Sequence, residues 1–373
     1  MNKILLICLT SLCFSGFAQT DVSWMRYPSI SPNGKEIAFM YKGDIYKVSV
    51  DGGRAMQLTT HAAYDYNPKW SPDGKTIAFN SNRYGNHDVF VMPAEGGAPT
   101  RLTTNSANEK VQCFSHDGKE VYFTAYIQHP AAYAQYPTGW ATQLFKVSAQ
   151  GGRSFLVLPN AMNNVTMSAD GKFLVYEAVT GQENEWRKHQ TSSVARDIWK
   201  YEFATKKFTP ITKDIADNRN PVLSNDGKTI YFLGEHLGSL NIWKSTEASS
   251  QDSITNYQRH PVRFLSISND DVLCFTYDGK LYVKSEDGEA KQVKVDIYRD
   301  NENPVIKQNL SNGASEAAFS PNGKEVAIVV KGDVYVTSVE FGTTKRITNT
   351  PGTERSLTWA ADGKSIAYAA ERE

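Results

Sequence analysis

Cysteine is scarce in this chain of 373 residues. Two of its four cysteines, Cys8 and Cys13, lie in an N-terminal apolar segment, while Cys113 and Cys274 are far apart in the sequence. The chain therefore lacks the dense cysteine framework of small disulfide-stabilised secreted domains. We expect no disulfide and interpret Cys113 and Cys274 as buried thiols.

An excess of charge of one sign is also absent. The sequence has 40 Lys and Arg residues against 40 Asp and Glu residues, so its formal net charge is zero. A nucleic-acid-binding protein usually carries a basic face. The composition therefore argues against nucleic acid as the main partner.

The chain has no apolar run long enough to span a bilayer once its first residues are set aside. At the N-terminus, Lys3 precedes an apolar stretch over residues 4–14, and Gly16, Phe17 and Ala18 follow it. This order is typical of a secretory signal, and we predict cleavage after Ala18. A retained N-terminal membrane anchor is the alternative. With the signal removed, we expect a periplasmic or secreted protein without a membrane partner.

Several sequence patterns that carry catalysis are missing. No G-x-S-x-G or H-E-x-x-H motif occurs, and the seven histidines are scattered without metal-ligand spacing. Helical periodicity is absent as well. We therefore predict no catalytic residue, no metal site and no cofactor within this chain.

What the sequence does contain is one short phrase repeated eight times. It has the form of SPDGKTIAF at Ser71, and successive copies begin 40 to 56 residues apart. The copies begin at Ser31, Ser71, Ser115, Ser168, Ser224, Ser268, Ser320 and Ala360. A repeat of this length predicts β-propeller blades, each a four-stranded sheet.

Each copy encodes a tight turn followed by a strand. Asn-Gly and Asp-Gly pairs favour turns because both residues tolerate positive φ. The strand after the turn is apolar on both faces, as in Ile77, Ala78 and Phe79. Such a strand must be covered on both faces, which blades stacked around an axis achieve.

The spacing of the units predicts an all-β chain with two propellers. We predict a signal peptide over residues 1–18, a six-bladed β-propeller over 19–296, a linker over 297–314 and, over 315–373, the first one and a half blades of a second propeller. A seven-bladed ring with a two-strand tail is the alternative. An unfinished blade leaves apolar faces and strand edges uncovered, so we expect the chain to belong to a longer protein.

Two long insertions distinguish units three and four, both between the second and third strands. Exposed aromatic side chains beside basic ones are typical of contact surfaces. The alternative is that the loops fold over their own blades. The predicted substrate or partner contacts are Tyr133, Tyr136, Trp140, Trp186, Arg187 and His189.

Carboxylates recur just before the first strand of several units, at Asp65, Glu109 and Asp217. This region of a propeller borders the central channel. One interpretation is a polar channel rim or cation site, and the other, which we favour, is strand-end capping and solvation.

Longer stretches are more specific than the turn phrase, which is shared with the Tol-system periplasmic propeller and with prolyl-oligopeptidase-like enzymes. They include RYPSISPNGKEIAFMYKGDIYKV at 26–48, EWRKHQTSSVARDIW at 185–199 and TTKRITNTPGTERSLTWAADGKSIAYAAERE at 343–373. In these stretches the chain resembles the N-terminal region of bacterial tricorn-type serine peptidases. The resemblance extends over nearly the whole chain after the signal.

This resemblance implies a six-bladed propeller first and a seven-bladed one second, then a PDZ-like domain and a serine peptidase core. It implies a parent protein that degrades oligopeptides, with its catalytic residues outside this chain. The expected partners are oligopeptides, the remaining domains of the same chain, and further copies in a homo-oligomer. A non-catalytic periplasmic binding propeller and a propeller attached to another hydrolase are the alternatives.

Overall fold

The computed structural model describes residues 22–127, 141–181, 194–246, 251–298, 313–350 and 352–371. Over these residues the chain forms 32 β-strands and no α-helix. Most strands belong to antiparallel four-stranded sheets whose order follows the sequence. The predicted all-β propeller fold is confirmed.

Six four-stranded blades form the first ring, and in each the first strand is innermost. Blade one contains β1 (Arg26–Ile30), β2 (Glu36–Tyr41), β3 (Asp44–Ser49) and β5 (Met56–Gln57), and blade two contains β6 (Asp65–Trp70), β7 (Thr76–Ser81), β8 (Asp88–Pro93) and β9 (Thr100–Arg101). Blade three contains β10 (Glu109–Phe114), β11 (Glu120–Ala125), β12 (Gln143–Ser148) and β13 (Phe155–Leu158), and blade four contains β14 (Met162–Met167), β15 (Phe173–Ala178), β16 (Ile198–Glu202) and β17 (Lys207–Pro210). Blade five contains β18 (Asn218–Leu223), β19 (Thr229–Gly234), β20 (Asn241–Thr246) and β21 (Asp252–Ser253), and blade six contains β22 (Arg263–Ile267), β23 (Leu273–Tyr277), β24 (Lys280–Lys284) and β25 (Lys291–Val293).

Six more strands form blades seven and eight, and two short strands form a separate pair. Blade seven contains β27 (Ala314–Phe319), β28 (Glu325–Val330), β29 (Asp333–Ser338) and β30 (Thr344–Arg346). Two strands, β31 (Glu354–Trp359) and β32 (Ile366–Ala370), form blade eight. The separate pair joins β4 (Gly53–Arg54) to β26 (Val295–Asp296).

The repeated phrase forms the turn between the first and second strands of each blade. In blade two, the Ser71 hydroxyl donates to Asp73 Oδ1 at 2.6 Å and accepts the Thr76 backbone N–H at 2.9 Å. The Lys75 N–H donates to Asp73 Oδ1 at 3.1 Å, and Gly74 has a φ of 70°. The phrase recurs because Ser, Asp or Asn, and Gly each satisfy one requirement of the same turn.

Packing between blades explains why the second strands are apolar on both sides. Six apolar clusters each join one blade to its neighbour. The cluster that closes the ring brings Ile37 and Phe39 of blade one together with Cys274 and Leu281 of blade six. The first ring therefore closes with six blades.

A short parallel strand pair reinforces this closure, and we call it the latch. Strand β26, which follows blade six, pairs with β4, which precedes the fourth strand of blade one. The Gly53 N–H donates to Lys294 O and the Ala55 N–H to Asp296 O, each at 2.8 Å. The latch holds the end of the ring against its beginning.

Blades seven and eight contact the first ring near its N-terminal strand. Arg26 pairs with Glu371 at 3.5 Å, and Lys331 Nζ donates to Ala62 O at 3.1 Å. On the face of blade seven, Phe319 is 70 % exposed, whereas the equivalent Ile30 in blade one is 3 % exposed. No described residue covers that side of blade seven as a neighbouring blade covers it in the ring.

Two of the predicted segments lie wholly or mainly outside the described residues. The predicted signal peptide over 1–18 lies outside them, as does most of the predicted linker over 297–314. These two segments stay predictions.

Gly52→Ala is expected to weaken the latch. A Cβ at Gly52 would lie 2.5 Å from Lys294 O, which β26 cannot avoid without moving. Gly53 is a matched control because it also has positive φ, at 99° against 88°, but its Cβ would meet nothing within 4 Å. Urea unfolding should show Gly52→Ala less stable than Gly53→Ala by about 2 kcal/mol. Equal losses in the two variants would contradict a stabilising role for the latch.

Candidate functional site: the axial channel

The six inner strands of the first ring surround two adjoining cavities, which together form an axial channel. A cavity of about 70 Å³ is lined by residues from all six blades, including Tyr27, Asn67, Lys110 and Asn164. A second cavity, of about 360 Å³, lies toward the Asp-Gly turns and shares Lys69 and Asn164 with the first. We call the first of these the axial cavity.

All six inner strands carry a β-bulge at the channel. The register slips between Arg26 and Ser29 in blade one, and equivalent slips occur in the other five blades. Residues with positive φ mark five of the bulges: Tyr27, Asn67, Asn164, Asn220 and Phe264. Three of these are asparagine, which tolerates this conformation better than other side chains with a Cβ. The bulge places their side chains at the channel wall.

Every junction between blades is crossed near the channel by a hydrogen bond between a side chain of one blade and the backbone of its neighbour. In junction order these are Trp70 Nε1 to Ser29 O (2.8 Å), Asn67 Nδ2 to Val111 O (2.7 Å), Val165 N to Gln112 Oε1 (3.0 Å), Thr166 Oγ1 to Pro221 O (2.8 Å), Asn220 Nδ2 to Leu265 O (3.0 Å) and Ile30 N to Ser266 Oγ (3.2 Å). Buried backbone groups of the inner strands, which lie at the edge of each sheet, are thereby satisfied.

The charged residues of the axial cavity are mostly basic, although the whole chain is neutral. Five cationic residues and one carboxylate line it: Lys69, Lys110, Arg196, Arg219, Arg263 and Glu177. Burial followed by the charge of Lys110 lowers the pKa of Lys69 to about 8. The cavity therefore has a positive local potential that the net charge does not reveal.

Glu177 is held as a carboxylate within the wall of this cavity. It pairs with Arg196 and accepts hydrogen bonds from Asn164 Nδ2 at 2.7 Å and Asn220 N at 3.2 Å. Burial opposes its ionisation, but the charges of Arg196 and Arg219 prevail and lower its pKa. Its charge is thus already neutralised by the protein.

The three predicted rim carboxylates lie at the starts of first strands, and all three are buried. Asp65 pairs with Arg83 at 2.8 Å, and Asp217 pairs with Arg219 at 2.6 Å. Glu109 accepts a hydrogen bond from the Thr103 hydroxyl at 3.2 Å. None of the three lines the axial cavity. The three carboxylates are thus buried rather than solvated, and their role at a channel rim stays a prediction.

The six predicted contact residues, from Tyr133 to His189, lie outside the described residues. The strands that flank their loops are described. Ala125 at the end of β11 pairs with Gln143 and with Glu109, which begins the inner strand. Both loops therefore start from the face opposite the Asp-Gly turns, the same end at which the axial cavity lies.

Comparisons with known proteins identify the ring. The model for the tricorn protease N-terminal beta propeller domain matches residues 22–290. The chain belongs to this family. The matched residues include all of the inner strands that form the axial channel.

Individual relatives of this tricorn-type propeller are more distant. It is 33% identical over 67 residues to tricorn protease homolog 1 of Streptomyces coelicolor, and 40% identical over 63 residues to putative tricorn protease homolog 2 of the same organism. These alignments cover 18% and 17% of this chain but only 6% and 5% of the relatives. The chain thus matches a small part of the length of its curated relatives.

The solved structure of the tricorn protease shares the fold. Its similarity has a TM-score of 0.62 at 16% identity and covers 93% of this chain and 41% of the tricorn protease chain. At this level of identity the likeness shows a common fold.

Neither a metal-binding cluster nor a membrane-spanning helix is found in the described residues. Within them, no group of three or more His, Cys, Asp or Glu side chains is placed to hold a metal ion. Within the same residues, no helix has the length and hydrophobicity needed to cross a membrane.

The sequence contained a signal for the channel residues that motif reasoning missed. The fourth residue before each turn serine of the ring occupies the bulge: Tyr27, Asn67, Val111, Asn164, Asn220 and Phe264. Lys69 stands two residues before its serine, Ser71. Aligning the repeats on the serine and reading upstream would have selected these positions.

Glu109→Gln is expected to change how stability depends on pH. Burial and the nearby charge of Asp88 raise the pKa of Glu109 to about 8 from its usual 4.5. Between these values the folded chain retains a proton that the unfolded chain has lost, so stability falls as pH rises. Between pH 5 and pH 8, the free energy of unfolding measured in urea should fall more in the parent chain than in Glu109→Gln, by on the order of 2 kcal/mol.

The matched control for this measurement is Glu289→Gln, because Glu289 is exposed. It should follow the parent chain at both pH values. Parallel behaviour of Glu109→Gln and the parent would show that Glu109 ionises normally in the fold.

Proposed function

We propose that this chain is the substrate-admitting part of an exported tricorn-type serine peptidase that degrades oligopeptides. The observation that carries the proposal is the pair of adjoining cavities along the axis of a ring of the tricorn N-terminal propeller family. The catalytic serine and its partners belong, in this proposal, to other domains of the parent protein. The propeller contributes access and selection.

The dimensions of the channel favour extended peptides over folded proteins. A folded domain of 100 residues has a radius of gyration of about 13 Å, far larger than a cavity of this size can enclose. An extended peptide offers one or two side chains at a time to the inner strands. Its backbone N–H and C=O groups can exchange water for the polar side chains that line the wall.

Peptide binding without cleavage is the expected behaviour of residues 19–373. Fluorescence anisotropy should detect binding of labelled, unstructured oligopeptides, while mass spectrometry of the same mixtures should show them intact. Met167→Trp is expected to reduce the affinity about tenfold, because Met167 is half-buried at the wall of the channel toward the turns and a larger side chain narrows it.

Met56→Trp is the matched control, since Met56 is exposed on the outer strand β5. It should bind peptides as the parent chain does. Cleavage that disappears when one residue of this chain is mutated would refute the division of labour proposed above. Equal binding by both variants would refute passage through the channel.

Export is tested by the N-terminal segment alone. Residues 1–30 fused to a reporter that is active only outside the cytoplasm should give active reporter with a new N-terminus at Gln19. Deleting residues 4–14, which removes the apolar stretch, should abolish the activity. Active reporter that keeps its first eighteen residues would instead support a membrane anchor.

A further inference from the structure

The basic residues of the axial cavity differ in whether the protein neutralises them. Arg196 is paired with Glu177, and Arg219 with Asp217. The charges of Arg196 and Arg219, two of the three arginines of the cavity, are therefore balanced by carboxylates that belong to the same ring. The lysines of the cavity are in a different position.

Neither Lys69 nor Lys110 forms an ion pair with any residue in the described part of the chain. Both are part-buried, and each comes from the inner strand of its blade, Lys69 from β6 and Lys110 from β10. Cys113 lies close to Lys69 but cannot balance it, because burial raises the pKa of its thiol to about 12. Two like charges thus share one cavity without a counterion from these residues.

The neutral polar groups beside the lysines are already engaged. Asn164 donates to Glu177, while Asn220 both donates to and accepts from Leu265. Apolar side chains from blades five and six, Leu233, Leu240 and Phe264, also line the cavity. Two ammonium groups beside an apolar wall form a site where an anion gains more than it would in water.

We propose that the axial cavity binds carboxylates through Lys69 and Lys110, so that the ring prefers acidic oligopeptides to neutral or basic ones. The inference rests on the proposed function, because it takes oligopeptides as the ligands. A carboxylate suits two ammonium groups because each of its oxygens accepts a charge-assisted hydrogen bond. It reaches the cavity either as a Glu or Asp side chain or as the C-terminus of a peptide.

The experiment compares matched peptides on residues 19–373. Four labelled hexapeptides of one length contain two Glu, two Gln or two Lys residues with an amidated C-terminus, or two Gln residues with a free C-terminus. The amidated Glu peptide should bind about tenfold more tightly than its Gln counterpart, and the amidated Lys peptide more weakly than either. Comparison of the two Gln peptides reports whether a terminal carboxylate is also bound.

Two variants locate the effect. Lys69→Met and Lys110→Met should each reduce the preference for the Glu peptide several-fold, and the double variant should abolish it. Lys75→Met is the matched control, because Lys75 is an exposed lysine of the same blade, outside the channel. Melting temperatures of all variants should equal or exceed that of the parent, since removing mutually repelling, part-buried charges does not destabilise the ring.

The outcomes separate this inference from the function on which it rests. Equal binding of Glu, Gln and Lys peptides would overturn the carboxylate site and leave peptide admission intact. If no peptide binds but glutarate shifts the NMR signals of the Lys69 and Lys110 ε-methylene groups, the anion site stands and peptide admission fails. A preference for Glu peptides that survives the double variant would place the selectivity elsewhere and overturn the assignment.

Discussion

The structure depends on one packing requirement: the middle strands of each blade are apolar on both faces. In blade one, Ile37 and Phe39 make one face of the second strand apolar, and Ala38 and Met40 make the other face apolar, so neither face can remain in water. A row of such blades can cover every apolar face only by closing into a ring. The packing of blade six on blade one and the latch that follows are consequences of it. So is the exposure of Phe319 in blade seven, whose second neighbour is absent from the described residues.

Closure of the ring places the six inner strands around the channel, and the channel determines which charged side chains become neighbours. The inner strands approach one another around the axis, and their bulges bring Asn67 and Asn220 to junctions where backbone groups need partners. The same geometry gathers cationic side chains from different blades into one cavity. A chain without net charge can therefore present a strongly basic site.

Much of the fold could be predicted from the sequence because each turn requires the same residues. Ser71, Asp73 and Gly74 each meet a local need, so their repetition is visible without knowledge of the packing. Even the altered sixth copy keeps the geometry, since Asp271 adopts the positive φ, 57°, that glycine has elsewhere. The channel was harder to predict, because Lys69 and Lys110 become neighbours only when their strands meet at the axis. Asp65 and Asp217 show the reverse difficulty: their recurrence was visible, but their arginine partners, Arg83 and Arg219, were not.

The hydrogen bond from Ile30 to Ser266 Oγ also bears on how the ring forms. It joins residues 236 positions apart, and the latch spans a similar interval. Contacts between distant parts of a chain form slowly, because a long loop must first be ordered. One apolar face of blade one therefore stays uncovered until the chain has been synthesised as far as Asp296 and blade six can pack against it. During that interval the edge strands of a half-built ring are open to other chains, so folding factors that shield apolar sheet surfaces would act on the nascent ring before closure.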